Sequence, residues 1–186
     1  MVPNKKWIVN GVFVLAVILL VLTPVGFKIK VFASKLLSTS AAMVKEGMQV
    51  SLDSYQWKLT DLQNRPFDFE AQRGRVILVN FWATWCPPCV AEMPSMQKLY
   101  DDYGDKVTFM FVTSDDRQKV ENFLKRKNLN LPVYYPNSET PETLKSKLLP
   151  TTYIINSKGE IVVAETGAAD WNSNKTRALI DDLLSQ

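Results

Sequence analysis

Residues 7–27 carry no charged side chain, and residues 12–25 are apolar apart from Thr23 and Pro24. At the helical rise, 21 residues cross a bilayer core of about 30 Å. Beyond this run the pattern changes. Ile29, Phe32 and Leu36 recur at helical spacing among lysines, which suits a helix lying along a membrane surface or a frayed continuation of the apolar helix. Residues 49–69 alternate loosely around the turn signal Asn64-Arg65-Pro66, which predicts short hairpin strands. Residues 76–82 form an apolar run, broken only by Asn80 and rich in β-branched side chains, as in a strand buried on both faces. A helix is predicted from Cys86 to about Tyr103, kinked at Pro94, followed by a second buried strand over 107–112. Ser114 or Asp115 is the expected cap of a helix with Val120, Phe123 and Leu124 on one face. A short helix is expected over 142–147. Strands over 151–156 and 160–166 are joined by Asn156-Ser157-Lys158-Gly159, a hairpin link. A last amphipathic helix carries Leu179, Ile180, Leu183 and Leu184, with its cap near residues 170–173. The order predicts an α/β domain: a central mixed sheet with helices on both faces.

The apolar start has two readings, a retained anchor and a cleaved signal peptide. Its length exceeds the usual signal core, and Lys28 and Lys30 sit where a cleavage region is neutral, although Val31-Phe32-Ala33 has small-residue cleavage character. The anchor is the expectation. No cysteine lies near the N-terminus, which excludes lipid attachment through one. The expected organisation is a cytoplasmic stub over 1–6, a transmembrane anchor over 7–27, a tether over 28–49 and a folded domain over 50–186. Lysines lie on both sides of the apolar run. A short N-terminus before a long domain places the body on the extracytoplasmic, periplasmic side.

Charge sharpens this division. Residues 1–43 hold five lysines and no acid, so the remaining 17 basic and 19 acidic side chains leave the body slightly negative. The body therefore gives no argument for nucleic acid. Lys125-Arg126-Lys127 reads as the solvated end of a helix, where cations favour the dipole. The 186 residues include no histidine and two cysteines. Histidine-dependent triads, His-ligated zinc or haem, and four-cysteine metal sites are all excluded.

Both cysteines stand in Cys86-Pro87-Pro88-Cys89, directly after the first buried strand and at a helix start. Amide N–H groups and the helix dipole there favour a thiolate. A nucleophilic Cys86 and a second thiol three residues on supply a two-step exchange, with Cys86 the exposed attacker and Cys89 the buried resolver. Pro87 and Pro88 stiffen the turn but remove two N–H donors. Metal binding would need more ligands. Met93 and Met96 are soft thioethers that could hold Cu(I), though methionines at helical spacing more often fill cores. A structural bridge across so short a loop would add little stability.

Val79-Asn80-Phe81-Trp82-Ala83-Thr84-Trp85-Cys86-Pro87-Pro88-Cys89 resembles the active-site stretch of the thioredoxin superfamily, and most closely its membrane-tethered TlpA/ResA-like thiol–disulfide oxidoreductases. Glu92-Met93-Pro94, Leu149-Pro150-Thr151-Thr152 and Gly159 extend the resemblance over about residues 50–186. It implies a thioredoxin-like fold and a cis Pro150 facing the cysteines, with the Leu149 backbone offered to an extended substrate segment. It also implies that Glu92 lies close to the pair, where it can take the Cys89 proton or shift the thiol pKa values. Asn80 stands where ordinary thioredoxin has a buried aspartate. Trp85, Pro87 and Pro88 are the expected contact surface for a partner, and Trp82 is expected in the core.

The leading expectation is a tethered, extracytoplasmic enzyme that exchanges its dithiol with protein thiols and disulfides. The partner could be an apocytochrome c or another exchange protein. The enzyme needs no dissociable cofactor and draws electrons from an upstream membrane reductant. The resemblance favours the reducing direction, as in cytochrome c maturation. Two alternatives stand beside it. One is a copper-handling assembly module using Met93 and Met96. The other is a peroxiredoxin-like peroxidase, for which Thr84, two residues before Cys86, has the wrong spacing.

Overall fold

The computed structural model describes residues 5–38, 44 and 49–186. Residues 1–4 of the expected stub, and 39–43 and 45–48 of the expected tether, lie outside the described residues.

The strands are β1 (Val50–Ser51), β2 (Lys58–Asp61), β3 (Pro66–Asp68), β4 (Ile77–Phe81), β5 (Thr108–Val112), β6 (Val133–Pro136), β7 (Thr151–Ile155) and β8 (Glu160–Thr166). Among the described residues they form one sheet in the order β1-β8-β7-β4-β5-β6-β2-β3. The three central neighbours β4, β5 and β6 run parallel, and the remaining pairs are antiparallel. The apolar run of β4, broken only by Asn80, has the cause expected of it. Leu78 faces one apolar cluster while Ile77 and Val79 face the other, and all three are fully buried.

The helices are α1 (Lys5–Leu22), α2 (Pro24–Leu37), α3 (Pro87–Tyr103), α4 (Arg117–Lys127) and α5 (Asn174–Ser185). The expectation of helices on both faces needs correction. Apolar side chains of α3, α4 and α5 all join the cluster on one side of the sheet. The crossovers β4-α3-β5 and β5-α4-β6 step across the sheet in the same direction, so right-handed connections put both helices on one face. The opposite face is covered by Tyr55, Trp57, Leu59 and Phe69 from the segment before β4, and by Leu144.

β6 is a strand that the hydrophobic pattern missed. Pro132 and Pro136 flank its short apolar stretch, yet Phe111 pairs with Val133 and the Phe111 N–H donates to the Pro132 carbonyl at 3.0 Å. The expected hairpin over 49–69 is β2–β3. Asp61 accepts from the Gln63 and Arg65 amides at 2.9 Å each, with Asn64 at φ 62°. The expected 142–147 helix is only a single 3-10 turn, Glu142–Leu144, held by the Asp53 carboxylate on the Glu142 and Thr143 amides. The cap of α4 is Asp116, which accepts from the Lys119 amide at 3.0 Å, rather than Ser114 or Asp115. Ser173 caps α5 as expected. Gly159, at φ +84°, closes the β7–β8 hairpin where a Cβ would lie 3.0 Å from the Tyr55 hydroxyl.

The apolar N-terminal run is not one helix. It breaks at Thr23, which precedes a proline and is held extended at φ −101°, ψ 156°. Its side chain caps α2 by accepting from the Gly26 amide at 3.2 Å. Pro24 has no N–H with which to continue α1. No single helix among the described residues is long and apolar enough to cross a membrane. The segments Ile8–Leu19 and Pro24–Leu37 meet at 76° and together have the length and composition of a bent span. The region expected as tether is helical to Leu37, and α2 packs against α3 with Phe27 and Val31 on the main cluster.

Candidate active site

β4 ends at Phe81, and the chain turns through residues 82–86 into α3. Cys86 is the N-cap of that helix, with Pro87 and Pro88 in the first turn. Proline is tolerated there because those amides have no helical partner. The first two amides in the helix are therefore those of Cys89 and Val90. Cys89 N–H points at Cys86 Sγ at 3.3 Å, and Val90 N–H donates to the Cys86 carbonyl at 3.0 Å. The two sulfurs are joined in a disulfide, with Cα atoms 5.3 Å apart.

Cys89 is fully buried, as expected of a resolver. Cys86 is not the exposed residue anticipated, being only 4% exposed. Its capping conformation turns the sulfur back over the first helical turn, and the neighbouring Trp85 takes the solvent position at 66% exposure. Access to the sulfur is thus asymmetric but narrow.

Trp85 is held in place. Asp115, just beyond β5, accepts the indole N–H of Trp85 at 3.0 Å through one carboxylate oxygen. Its other oxygen accepts from the Thr84 amide at 2.7 Å and the Thr84 hydroxyl at 2.8 Å. The acid that sequence reading offered as a helix cap instead fixes the loop leading into Cys86. Two adjacent aspartates after a strand gave no sign of this division of labour.

The Leu149–Pro150 peptide is cis, as the resemblance implied. Pro150 is buried, and its carbonyl accepts from Gly167 N–H at 2.9 Å. Thr151, the next residue, pairs with Phe81. This places Leu149 and Pro150 at the sheet end from which the 82–86 turn departs. Leu149, Trp85 and Asp115 line one cleft of about 420 Å³. Pro87 and Pro88 are half-buried at the helix start, outside the lining of that cleft.

Glu92 lies one turn beyond Cys89 and is 2% exposed. One carboxylate oxygen accepts from Asn80 Nδ2 at 2.8 Å. The other accepts from the Trp171 indole at 2.9 Å and the Ala169 amide at 3.3 Å. Burial pushes its pKa up to about 7, opposed by the hydrogen bonds from Trp171, Asn80 and Ala169, and Glu165 adds a smaller upward push. Burying a carboxylate disfavours its charged form, whereas donors favour it. At neutral pH this side chain can therefore either hold or accept a proton. Asn80 ties the acid to the sheet, since its amide also donates to the Thr152 hydroxyl at 2.8 Å. Its own Oδ1 is buried without a partner.

Trp82 is buried in the core against Phe123, as expected. Met93 and Met96 are also packed into that core, 1% and 0% exposed, so both thioethers act there as filling rather than as open ligands. Trp171 and Ala169, which complete the Glu92 pocket, come from the segment between β8 and α5. Nothing in a lone tryptophan 79 positions from the acid announced that contact.

A disulfide at the N-terminus of a helix, beside a cis-proline and a mixed sheet, defines the thioredoxin-like class of thiol–disulfide exchange proteins. The chain matches the Redoxin family model over residues 36–183, and it belongs to that family. It is 33% identical to thiol-disulfide oxidoreductase ResA of Bacillus cereus over 121 residues, 63% of this chain and 70% of the relative. It is 32% identical to thioredoxin-like protein YneN of Bacillus subtilis over 119 residues, 62% of this chain and 70% of that one. A putative thiol:disulfide interchange protein DsbE from Chlorobium tepidum shares the fold at TM-score 0.61 and 22% identity, covering 73% of this chain and 98% of its own. The protein is thus a protein thiol–disulfide oxidoreductase of the ResA/TlpA-like kind.

Proposed function

We propose that the chain is a membrane-tethered, extracytoplasmic exchange enzyme whose working pair is Cys86 and Cys89. The observation that carries this reading is the placement of the pair at the start of α3, with the Glu92 carboxyl one turn on and Pro150 at the neighbouring sheet end. In the reducing direction the Cys86 thiolate attacks one sulfur of a partner disulfide and expels the other as a thiolate. Cys89 then loses its proton to Glu92 and attacks Cys86 Sγ. The partner leaves with two electrons, and the Cys86–Cys89 disulfide remains. In this reading the partner segment lies against Leu149 and Pro150, with Trp85 and the two active-site prolines bordering it. The partner is a protein disulfide such as that of an apocytochrome c or another exchange protein. A membrane reductant restores the dithiol.

The tethering rests on the apolar residues of α1. Residues 7–22 carry no charge and measure about 24 Å at 1.5 Å per residue, so α1 alone enters a core of about 30 Å without filling it. Among the described residues, only the bent pair Ile8–Leu19 with Pro24–Leu37 has the length and composition of a span. In α1, Ile8, Val12, Phe13 and Leu15 are all more than half exposed.

The test is a Cys89→Ser variant of the full chain in its own membranes. It should accumulate a thiol-reversible adduct with a partner through Cys86, and the adduct should vanish when Cys86→Ser is added. No adduct in the single variant would refute the assignment. Direction is read from the reduction potential: a value near about −270 mV marks a reductant and one near −120 mV an oxidant.

A further inference from the structure

α2 has two apolar faces, and among the described residues only one is covered. Gly26 is buried and Phe27 and Val31 pack on the domain. On the opposite side Val25, Ile29, Phe32 and Leu36 recur at helical spacing and are 66%, 49%, 64% and 70% exposed. A soluble helix would place polar residues there. The helix leaves α1 at 76°, so if α1 runs along the bilayer normal, α2 lies nearly in the membrane plane.

Beside this stripe is a cleft of about 550 Å³ between α2 and α4. Its walls are apolar, contributed by Phe27 and Val31 of α2, Val90 of α3 and Phe123 of α4. Its rim is cationic, with Lys28 and Lys35 on one side and Arg126 and Lys127 on the other. All four cations are exposed, and none is ion-paired to a carboxylate among the described residues. The basic end of α4, which reads in sequence as an ordinary solvated helix end, is therefore brought across the fold to face the lysines of α2. An apolar trough under a ring of cations is complementary to an amphiphile with an acidic head group. The continuity of α2 with α1 decides which source supplies it.

We propose that α2 is an interfacial helix that seats the catalytic domain on the bilayer, and that the α2–α4 cleft takes an anionic phospholipid of that bilayer, with its phosphate at Lys28, Lys35, Arg126 and Lys127 and acyl carbons along Phe27, Val31 and Phe123. Because α2 packs on α3, the helix capped by Cys86, this contact fixes the orientation of the exchange site relative to the membrane. The proposal rests on the reading of α1 as an anchor.

The experiment places a photoreactive side chain in the full-length chain, reconstituted in vesicles of phosphatidylcholine with about one lipid in four replaced by phosphatidylglycerol. Phe32→p-benzoylphenylalanine reports on α2, and Phe13→p-benzoylphenylalanine reports on α1. Both should yield lipid adducts by mass spectrometry. At position 32 the phosphatidylglycerol share should exceed its share of the bilayer about threefold. Adding Arg126→Ala and Lys127→Ala should return that share to the bulk ratio while position 32 still labels lipid. Labelling at 13 without lipid labelling at 32, or at 32 only to a second copy of the chain, overturns the seating of α2 and leaves the anchor standing. Lipid labelling at 32 without enrichment overturns the anionic cleft. Absence of lipid adducts at 13 overturns the anchor itself, and the proposal with it.

Discussion

The indole N–H of Trp171 donates to the Glu92 carboxylate at 2.9 Å, joining the segment before α5 to the middle of the active-site helix. Both residues are buried, so the bond acts in a medium where a lone carboxylate is costly. It is the foremost of the contacts that resist the upward push of burial on Glu92.

Replacing Trp171 with phenylalanine keeps most of the ring and removes the donor. The Trp171→Phe variant should raise the Glu92 pKa above its present value of about 7, because a donor to the ionised form has been lost. It should also cost about 1–2 kcal/mol of stability. Carbon-13 NMR titration of the glutamate carboxyl reads the first effect and urea unfolding the second. An unchanged or lowered pKa would show that this bond does not tune the acid.

Glu92 also makes stability depend on pH. Its pKa rises from 4.5 to about 7 on folding, so between those values the folded chain binds more protons than the unfolded one. The contribution of the neutral acid is complete below about pH 4.5 and is lost as the pH climbs to about 7. Across that window the loss is on the order of 3 kcal/mol. Asp53 and Asp61, whose pKa values are lowered on folding by their hydrogen bonds, give the opposite trend at more acidic pH. Glu92→Gln isolates the effect, since its stability relative to wild type should grow from pH 5 to pH 8. Parallel stability curves for the two proteins would rule it out.

Asp115 carries the second set of contacts around the pair. Asp115→Ala leaves the Thr84 amide, the Thr84 hydroxyl and the Trp85 indole without their acceptor. Charge-assisted bonds of this kind are the stronger ones, and the group is only partly buried, so a loss of about 1–3 kcal/mol is expected. Trp85 should gain mobility, read as a fall in the heteronuclear NOE of its own indole N–H in nitrogen-15 NMR. Exchange with a protein disulfide should slow more than exchange with a small disulfide. Equal slowing of both would place Asp115 outside partner contact.

The parts of this molecule that sequence made legible are those written in contiguous residues. The β4 run, the Cys86–Cys89 spacing and the Gly159 hairpin each rest on a local rule, and each appears in the structure as expected. What failed to show depends on distant partners. Asp115 and Asp116 are chemically alike, and only the position of Thr84 across the sheet decides which one caps α4. β6 was hidden because its ladder, not its own alternation, makes it a strand. The side of the sheet taken by α4 follows from the direction of strand order, which no single segment encodes. The break at Thr23 was visible as Thr23-Pro24 within the apolar run, but hydropathy alone averages over it.

The methionines offer a last discrimination, between exchange chemistry and copper handling on the same fold. Met93 and Met96 stand in α3 among Leu99, Trp82 and other buried side chains, with no polar atom of theirs at the surface. If packing is their role, leucine of nearly equal volume should serve at either position. Met93→Leu and Met96→Leu should each cost less than about 1.5 kcal/mol and leave the rate of disulfide reduction within about twofold of wild type. A thioether ligand would behave otherwise, because a soft sulfur donor to Cu(I) has no substitute in a hydrocarbon side chain. Titrating the reduced proteins with Cu(I) in the presence of a competing chelator separates the two cases. Packing predicts the same copper affinity for wild type and both variants. A large drop in affinity in either one, with the fold intact, would instead make α3 a metal-binding helix.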